Sequence, residues 1–265
     1  MRIALGLEYD GSRFCGWQTQ PEGCGAQDAL ELALSEIAGE PVTTVCAGRT
    51  DAGVHALGQV VHFDTGVERP LTAWVRGTNA LLPAAVAVTW SRIVSAEFHA
   101  RYSAVSRAYR YVLLNRAVRP AADHARVGWF HIPLGLERMR EAARFLLGEH
   151  DFSAFRAADC QARTPVRSLT RLDIVRRGDL VVFDVQANAF LHHMVRNIVG
   201  CLVYVGNGRH PPAWIGEVLA SRDRRQAAPT FDASGLYLSE VEYHPRWGLP
   251  STARTEPLEI LDLSE

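Results

Sequence analysis

An aspartate lies in the middle of an unusual glycine-flanked loop, which runs from Ala47 to Ala56 in this 265-residue sequence. Apolar segments precede and follow the loop, and catalytic groups are often mounted on loops held by a rigid scaffold. A carboxylate at Asp51 can act as a nucleophile, a base or a metal ligand. It can equally form an Asx turn, in which it bonds its own backbone. Glu40 and Asp64 are the nearest other acids, so a local carboxylate pair or magnesium site is not supported.

A single charged residue, Arg196, interrupts the largely apolar segment between Phe190 and Val205. Moving an unpaired ion out of water is costly, so a buried arginine needs a carboxylate partner. We expect that partner to be Asp51, because the pair would neutralise Arg196 and keep Asp51 ionised. The alternatives are that Arg196 extends to the surface or binds another acid.

Three histidines and a tyrosine are further candidates for a functional site. His192 and His193 are adjacent, so on a helix they would point in different directions, unlike the i, i+4 histidines of a zinc site. We therefore expect no metal there. His55 is expected to hydrogen-bond within the loop and shape it. Tyr109 lies on a predicted strand and is either a core residue or a stacking platform for a base.

The 28 basic residues are all arginine. The absence of lysine excludes Schiff-base catalysis, the lysine of phosphate-binding loops and the kinase strand lysine. The net charge is -1, but it is -5 over residues 1–91, +8 over 92–177 and -4 over 178–265. This asymmetry favours a polyanionic partner met on one surface, although a salt-bridged, solvated face would have the same composition.

The five cysteines are scattered and form no CxxC pair. We interpret them as reduced, mostly packed thiols and expect neither a disulfide framework nor a zinc site. No apolar stretch reaches the length of a membrane span and no signal peptide is evident, so the expected location is the cytoplasm.

The elements that must position these residues follow from hydrophobic periodicity. Strands are predicted over 3–9, 42–46, 59–63, 86–93, 107–114, 167–175, 180–186 and 236–243, and helices over 26–37, 72–82, 136–147, 190–205 and 212–220. Gly39 is expected to be a left-handed helix cap. The irregular order favours an α+β fold with antiparallel or mixed sheets. We expect domains over 1–105, carrying the catalytic loop, and 106–247. The segment from Arg246 is interpreted as loosely held, with an acidic, flexible tail over 248–265.

The loop Gly48–Ala56 resembles the signature loop of the TruA family of tRNA pseudouridine synthases. Six further blocks extend the resemblance from residue 1 to about residue 245, in the order that the family has them. These blocks are Phe14–Gln18, Phe98–Ala104, Arg107–Tyr111, Gly148–Phe152, Phe190–Gly200 and Gly235–Leu238. The sequence departs from the family pattern at Cys15, at His192 and in the tail.

The resemblance implies an isomerase that converts uridine to pseudouridine at positions 38, 39 and 40 of the tRNA anticodon stem-loop, with base flipping and without a metal or cofactor. It implies that Asp51 is the nucleophile and that Arg49 helps to displace and hold the RNA near the flipped base. It also implies that Tyr109 stacks on the base and that Arg196 pairs with the catalytic carboxylate.

The fold implied by the resemblance is the pseudouridine synthase fold. It has two α+β domains with mainly antiparallel mixed sheets flanked by helices, a basic cleft and a homodimeric assembly. The basic middle third supplies further candidate RNA contacts, which are Arg101, Arg107, Arg110 and Arg163. Two other functions are considered. One is a non-catalytic RNA-binding module, which the presence of Asp51, Tyr109 and Arg196 argues against, and the other is a hydrolase that cuts a nucleoside glycosidic bond and releases free uracil.

Overall fold

The computed structural model describes residues 1–158 and 160–251. Its contacts divide the chain into two compact units. Unit 1 contains Met1–Val105 and the described residues from Leu238 onward, and unit 2 contains Ser106–Tyr237. The sequence-based division kept 106–247 together, and the assignment of folding domains stays a prediction. Most of the predicted tail, from residue 252 to 265, lies outside the described residues.

Ten strands are found in the described residues. They are β1 (Arg2–Tyr9), β2 (Val45–Cys46), β3 (His55–Asp64), β4 (Val86–Val94), β5 (Ala104–Asn115), β6 (Gly128–Phe130), β7 (Gly148–Asp151), β8 (Val166–Arg177), β9 (Leu180–Ala187) and β10 (Leu236–Tyr243). β6 and β7 were not predicted, because strands this short cannot show an alternating pattern. β2 is shorter than predicted, and β3 begins earlier.

The described residues also form five α-helices. They are α1 (Ala26–Ala38), α2 (Thr78–Leu81), α3 (Leu136–Ala143), α4 (Met194–Gly206) and α5 (Trp214–Ser221). α2 is preceded by a π-helical segment, Ala73–Gly77, so the helix predicted over 72–82 is present but irregular. No helix in this part of the chain combines the length and apolar character that crossing a bilayer requires.

Unit 1 contains antiparallel strands in the order β4-β1-β3, with β2 also pairing with β3 and β10 lying beside β3. Ile3, Leu5 and Leu7 of β1 are at most 1% exposed. Burying each such side chain stabilises the fold by ~1.5–3 kcal/mol. Gly39 ends α1 with a left-handed φ of 71°, which confirms the predicted cap.

Unit 2 contains antiparallel strands in the order β5-β9-β8-β7, and β6 pairs in parallel with β5. Adjacent residues Tyr111 and Val112 of β5 are both at most 1% exposed, so this strand is buried on both faces. Met139 of α3 is fully buried. The α+β class with mainly antiparallel strands is therefore confirmed.

The start of α4 differs from the prediction. The helix begins at Met194, not Phe190, because His193 adopts a left-handed φ of 61° that α-helical residues do not have. His192 and His193 therefore lie in the turn before the helix. Their ring centroids are 4.0 Å apart, so the expectation that they point in different directions is wrong.

Two further expectations are wrong, one about the cysteines and one about the C-terminal segment. Cys15 and Cys24 form a disulfide with their Cα atoms 5.4 Å apart, although the sequence favoured reduced thiols. The chain reverses between these two residues, which spacing alone did not predict. The segment from Arg246 is also not loosely held throughout. Pro245–Trp247 forms a 3-10 turn, and the Trp247 ring lies 5.3 Å from that of Phe98.

Candidate functional site

Asp51, whose carboxylate is the group best suited to catalysis, begins a tight turn in unit 1. Its backbone carbonyl accepts a hydrogen bond of 3.1 Å from the Val54 N–H. Gly53 provides the positive φ of 78° that this turn needs. The Asp51 side chain is half-buried, and β3 begins one residue after the turn. The carboxylate is therefore carried by backbone that leads directly into a buried strand.

The residues just before Asp51 are anchored to the core of unit 1. The buried hydroxyl groups of Tyr9 and Thr50 lie 2.8 Å apart. The Thr50 carbonyl accepts a hydrogen bond of 2.9 Å from the Trp17 N–H. The Gln59 side chain donates to the Gly48 carbonyl over 2.7 Å. These contacts fix the loop from three sides, and they connect it to β1, to β3 and to the segment around Trp17.

A second segment packs closely against the backbone of the loop at Gly16. The φ of Gly16 is +102°, and a Cβ placed there would lie 2.9 Å from the Thr50 carbonyl oxygen. A glycine is therefore required for both conformation and space. The neighbouring Cys15 is tied to Cys24 by the disulfide and by a backbone hydrogen bond of 2.9 Å. The closed segment thus forms a brace beside Thr50 and Asp51.

His55 shapes the end of the same loop. It is only 3% exposed, and its Nδ1 accepts a hydrogen bond of 3.1 Å from the Gly11 N–H. Gly11 packs so closely against the Val54 carbonyl that a Cβ would clash with it. His55 therefore joins the turn after β1 to the start of β3.

Two arginines lie near the strand that enters the loop. Burial raises the pKa of the Cys46 thiol to about 11, and the positive charges of Arg49 and Arg101 oppose that rise. Both guanidinium groups therefore lie within electrostatic range of one thiol at the end of β2. Arg49 and Arg101 are exposed, so their charges are accessible to an anionic ligand.

The other candidate arginines belong to unit 2, and two of them are committed to structural contacts. Arg110 forms a bidentate ion pair with Asp184, with N···O distances of 2.7 and 3.1 Å. Arg107 is 9% exposed and donates to the Asn188 carbonyl over 3.1 Å. Arg163 is exposed, in the segment before β8. Arg163 therefore differs from Arg107 and Arg110 in its exposure, since those two residues are held by contacts within unit 2.

Tyr109 and Arg196 also belong to unit 2. Tyr109 is 9% exposed, and its ring meets that of Phe190 edge to face at 5.0 Å. The Nε of Arg196 donates to the Phe231 carbonyl over 2.8 Å. Burial raises the pKa of Tyr111 well above its ordinary value, and the charge of Arg196 opposes that rise. Arg196 therefore lies close to the core of its unit.

The structure thus groups the candidates by unit. Unit 1 contains Asp51, Arg49, His55 and Arg101, whereas unit 2 contains Tyr109, Arg107, Arg110, Arg163 and Arg196. The pairing of Asp51 with Arg196 stays a prediction. The sequence did not identify Tyr9 and Gln59 as supports of the loop, because periodicity assigns them only to strands. For Gly16, its place in the block Phe14–Gln18 was the available signal.

Comparison with known proteins adds independent information. A family model described as tRNA pseudouridine synthase matches residues 7–103 and 142–244. The tRNA pseudouridine synthase A of Thiobacillus denitrificans is 60% identical, over 97% of this chain and 99% of the relative. That of Dechloromonas aromatica is 60% identical over 94% and 95%. That of Nitrosomonas europaea is 56% identical over 98% and 96%. The similarity therefore spans nearly the whole chain.

Proposed function

The chain belongs to the tRNA pseudouridine synthase family, and we propose that it converts uridine to pseudouridine at positions 38, 39 and 40 of the tRNA anticodon stem-loop. As a member of the family it is an isomerase that makes pseudouridine in tRNA. The target positions are proposed from the resemblance to the TruA family. The observation that supports a catalytic role for Asp51 is its braced turn, within the first segment matched by the family model.

The reaction rearranges one nucleotide and needs no second substrate. The bond between C1′ and N1 of uridine breaks, and C1′ joins C5 of the same uracil. C5 loses its proton and N1 gains one, so atoms and charge balance. We assign the role of nucleophile to Asp51. Its carboxylate can attack C1′ or C6, or it can take the 2′ proton, and each route needs a carboxylate held close to the sugar and base. The proposal includes no metal and no cofactor.

The target base must leave the helical stack before the carboxylate can reach it. Flipping a base costs a few kcal/mol of stacking and pairing, so the protein must compensate for the lost contacts. We assign the stacking contact to Tyr109 and the displacement of the RNA to Arg49. Arg196 is assigned to neutralise Asp51, and His55 to hold the loop in position.

The candidate arginines divide into two groups by exposure. Arg49, Arg101 and Arg163 are exposed, and we assign them to the phosphates of the tRNA, where a guanidinium forms strong charge-assisted hydrogen bonds. Arg107 and Arg110 are already bonded within unit 2, and we assign them to shaping the surface that meets the RNA. We place the activity in the cytoplasm, as expected from the hydropathy of the sequence, and in a homodimer, as the family resemblance implies.

The test measures tritium release from tRNA labelled at C5 of its uridines. Asp51→Asn should lose release completely while tRNA binding stays within about threefold of wild type. Asp173→Asn is the matched control, because Asp173 is an exposed carboxylate whose side chain is 65% accessible. It should release tritium at the wild-type rate. Wild-type release from Asp51→Asn would overturn the role of Asp51, and pseudouridine mapped only outside positions 38–40 would overturn the assigned target.

A further inference from the structure

Tyr102 is the most exposed large apolar side chain in the described residues, with 75% of its surface accessible. Its ring is not isolated. It lies on the ring of His99, with centroids 4.3 Å apart and planes 34° apart. His99 in turn lies 4.9 Å from His62. We call these three rings the aromatic column, which runs from the interior of unit 1 to the surface.

The backbone that carries Tyr102 is held in one conformation. The Ser103 N–H donates to the His99 carbonyl over 2.8 Å, and the His99 N–H donates to the Ser103 hydroxyl over 3.0 Å. The Nδ1 of His99 also accepts hydrogen bonds from the N–H groups of Arg101 and Tyr102, at 3.2 and 3.3 Å. An aromatic ring fixed in this way loses little conformational entropy when a ligand binds.

The inner end of the aromatic column is also fixed. His62 is 4% exposed, and its Nδ1 accepts a hydrogen bond of 3.1 Å from the Ala100 N–H. Burial and the charge of Arg2 lower the pKa of His62 and of His99. Both lowered pKa values favour the neutral imidazole, in which no charge within the column repels a basic neighbour.

The outer end of the aromatic column combines a flat apolar face with positive charge. The guanidinium carbon of Arg101 lies 5.6 Å from the Tyr102 ring centroid. The positive charges of Arg101 and Arg49 both oppose the rise in the pKa of the Cys46 thiol, and His62 of β3 pairs with Val45 of β2, the neighbour of Cys46. The column therefore stands beside β2, the strand that leads into the loop of Asp51.

We propose that Tyr102 is a positioning residue whose exposed ring face stacks on a nucleobase of the tRNA, while Arg101 contacts an adjacent phosphate. The inference rests on the proposed function, since it takes tRNA as the ligand. A rigid ring next to a guanidinium fits a nucleotide, because the base has a π face and the phosphate is an anion. It also explains why an aromatic side chain is held at the surface.

The test compares variants of Tyr102 in equilibrium binding and steady-state turnover with a tRNA transcript. Tyr102→Ala should weaken binding by about 5- to 150-fold, the range expected for one base stacked on an aromatic ring. KM should rise by a similar factor, with a far smaller change in kcat. Tyr102→Phe should bind the tRNA as tightly as the wild type, because it keeps the ring. Tyr102→Leu should bind as weakly as Tyr102→Ala, because it keeps only apolar volume. Leu32→Ala is the control, since Leu32 is an apolar side chain of α1 that is 69% exposed.

Two outcomes would overturn the inference. One is wild-type affinity in both Tyr102→Ala and Tyr102→Leu, and the other is a loss of kcat without any change in affinity. Wild-type turnover is measured in the same assay. Its absence would overturn the proposed function, whereas normal wild-type turnover with unaltered Tyr102 variants would overturn only the stacking role.

Discussion

The hydroxyl groups of Tyr9 and Thr50 lie 2.8 Å apart in the buried part of unit 1. Tyr9 is the last residue of β1, and Thr50 directly precedes Asp51, the proposed nucleophile. The strand thus anchors the loop at the position next to its reactive carboxylate. Precise placement matters, because a shift of about 1 Å at a reacting group can reduce turnover by about 100-fold.

Tyr9→Phe should reduce turnover by more than it reduces tRNA binding. The variant leaves the Thr50 hydroxyl buried without this partner, which should lower the free energy of unfolding by ~1–3 kcal/mol. Urea denaturation and single-turnover kinetics measure the two effects. Tyr237→Phe is the matched control, since its hydroxyl donates to the Arg126 carbonyl in unit 2. It should lose stability without losing turnover, and equal turnover losses in the two variants would contradict the anchoring role of Tyr9.

Gly16→Ala should impair turnover because the new methyl group would meet the loop. The Cβ would lie 2.9 Å from the Thr50 carbonyl oxygen, and the backbone has a φ of +102°. We expect a loss of ~1–3 kcal/mol in the free energy of unfolding and a reduced kcat. Gly23→Ala separates strain from collision, since Gly23 also has a positive φ but has nothing within 4 Å of its Cβ position. If Gly23→Ala reduced kcat as much as Gly16→Ala, the close approach would not be the cause.

Reduction of the disulfide between Cys15 and Cys24 should loosen the brace beside Asp51. The bond closes a loop with a sequence separation of 9, for which chain entropy predicts a stabilisation of roughly 2–3 kcal/mol. Denaturation of the oxidised protein with and without a dithiol reductant measures this difference. The double variant Cys15→Ser, Cys24→Ser should match the reduced wild type and should not respond to reductant. Equal stability of oxidised and reduced wild type would show that the bond does not brace the segment.

Most helices and strands could be predicted from the sequence where the hydrophobic periodicity extends over enough residues to be detected. β1 and α1 show clear alternation or helical spacing, and both were found within one or two residues of their predicted bounds. The start of α4 could not be predicted, because the apolar pattern continues back to Phe190 while the left-handed φ of His193 ends the helix.

The candidate residues of the site were easier to locate in the sequence than the contacts that support them. Asp51 was identified by its loop and its family block, both of which are local in sequence. The contact of Thr50 with Tyr9 joins residues 41 positions apart, and the position of Tyr102 depends on its ring contact with His99, which lies beside His62. Such contacts depend on strand register and side-chain packing, which a single sequence does not specify.

The stability of unit 1 should fall as the pH drops from about 6.5 to about 4. Burial, aided by Arg2, lowers the pKa of His62 from 6.5 to about 4 in the folded protein. Within that window the unfolded chain binds a proton that the folded protein does not, so the free energy of unfolding falls by up to ~1.4 kcal/mol per pH unit. His62→Asn, which keeps an acceptor for the Ala100 N–H, should flatten this dependence. If the free energy of unfolding, measured by urea denaturation, depended on pH equally in wild type and variant, the prediction would be contradicted.

Arg163 and Arg110 should differ in how their removal affects tRNA binding. Arg163 is exposed, so Arg163→Ala should reduce the slope of log affinity against log salt by about 0.7–0.9, the value for one lost phosphate contact. Arg110 is bound by Asp184 in a bidentate pair. Arg110→Ala should therefore lower the free energy of unfolding by ~1–2 kcal/mol and leave the salt slope nearly unchanged. Binding titrations at four or more salt concentrations measure the slopes. A reduced slope for Arg110→Ala would mean that Arg110 exchanges Asp184 for a phosphate when the tRNA binds.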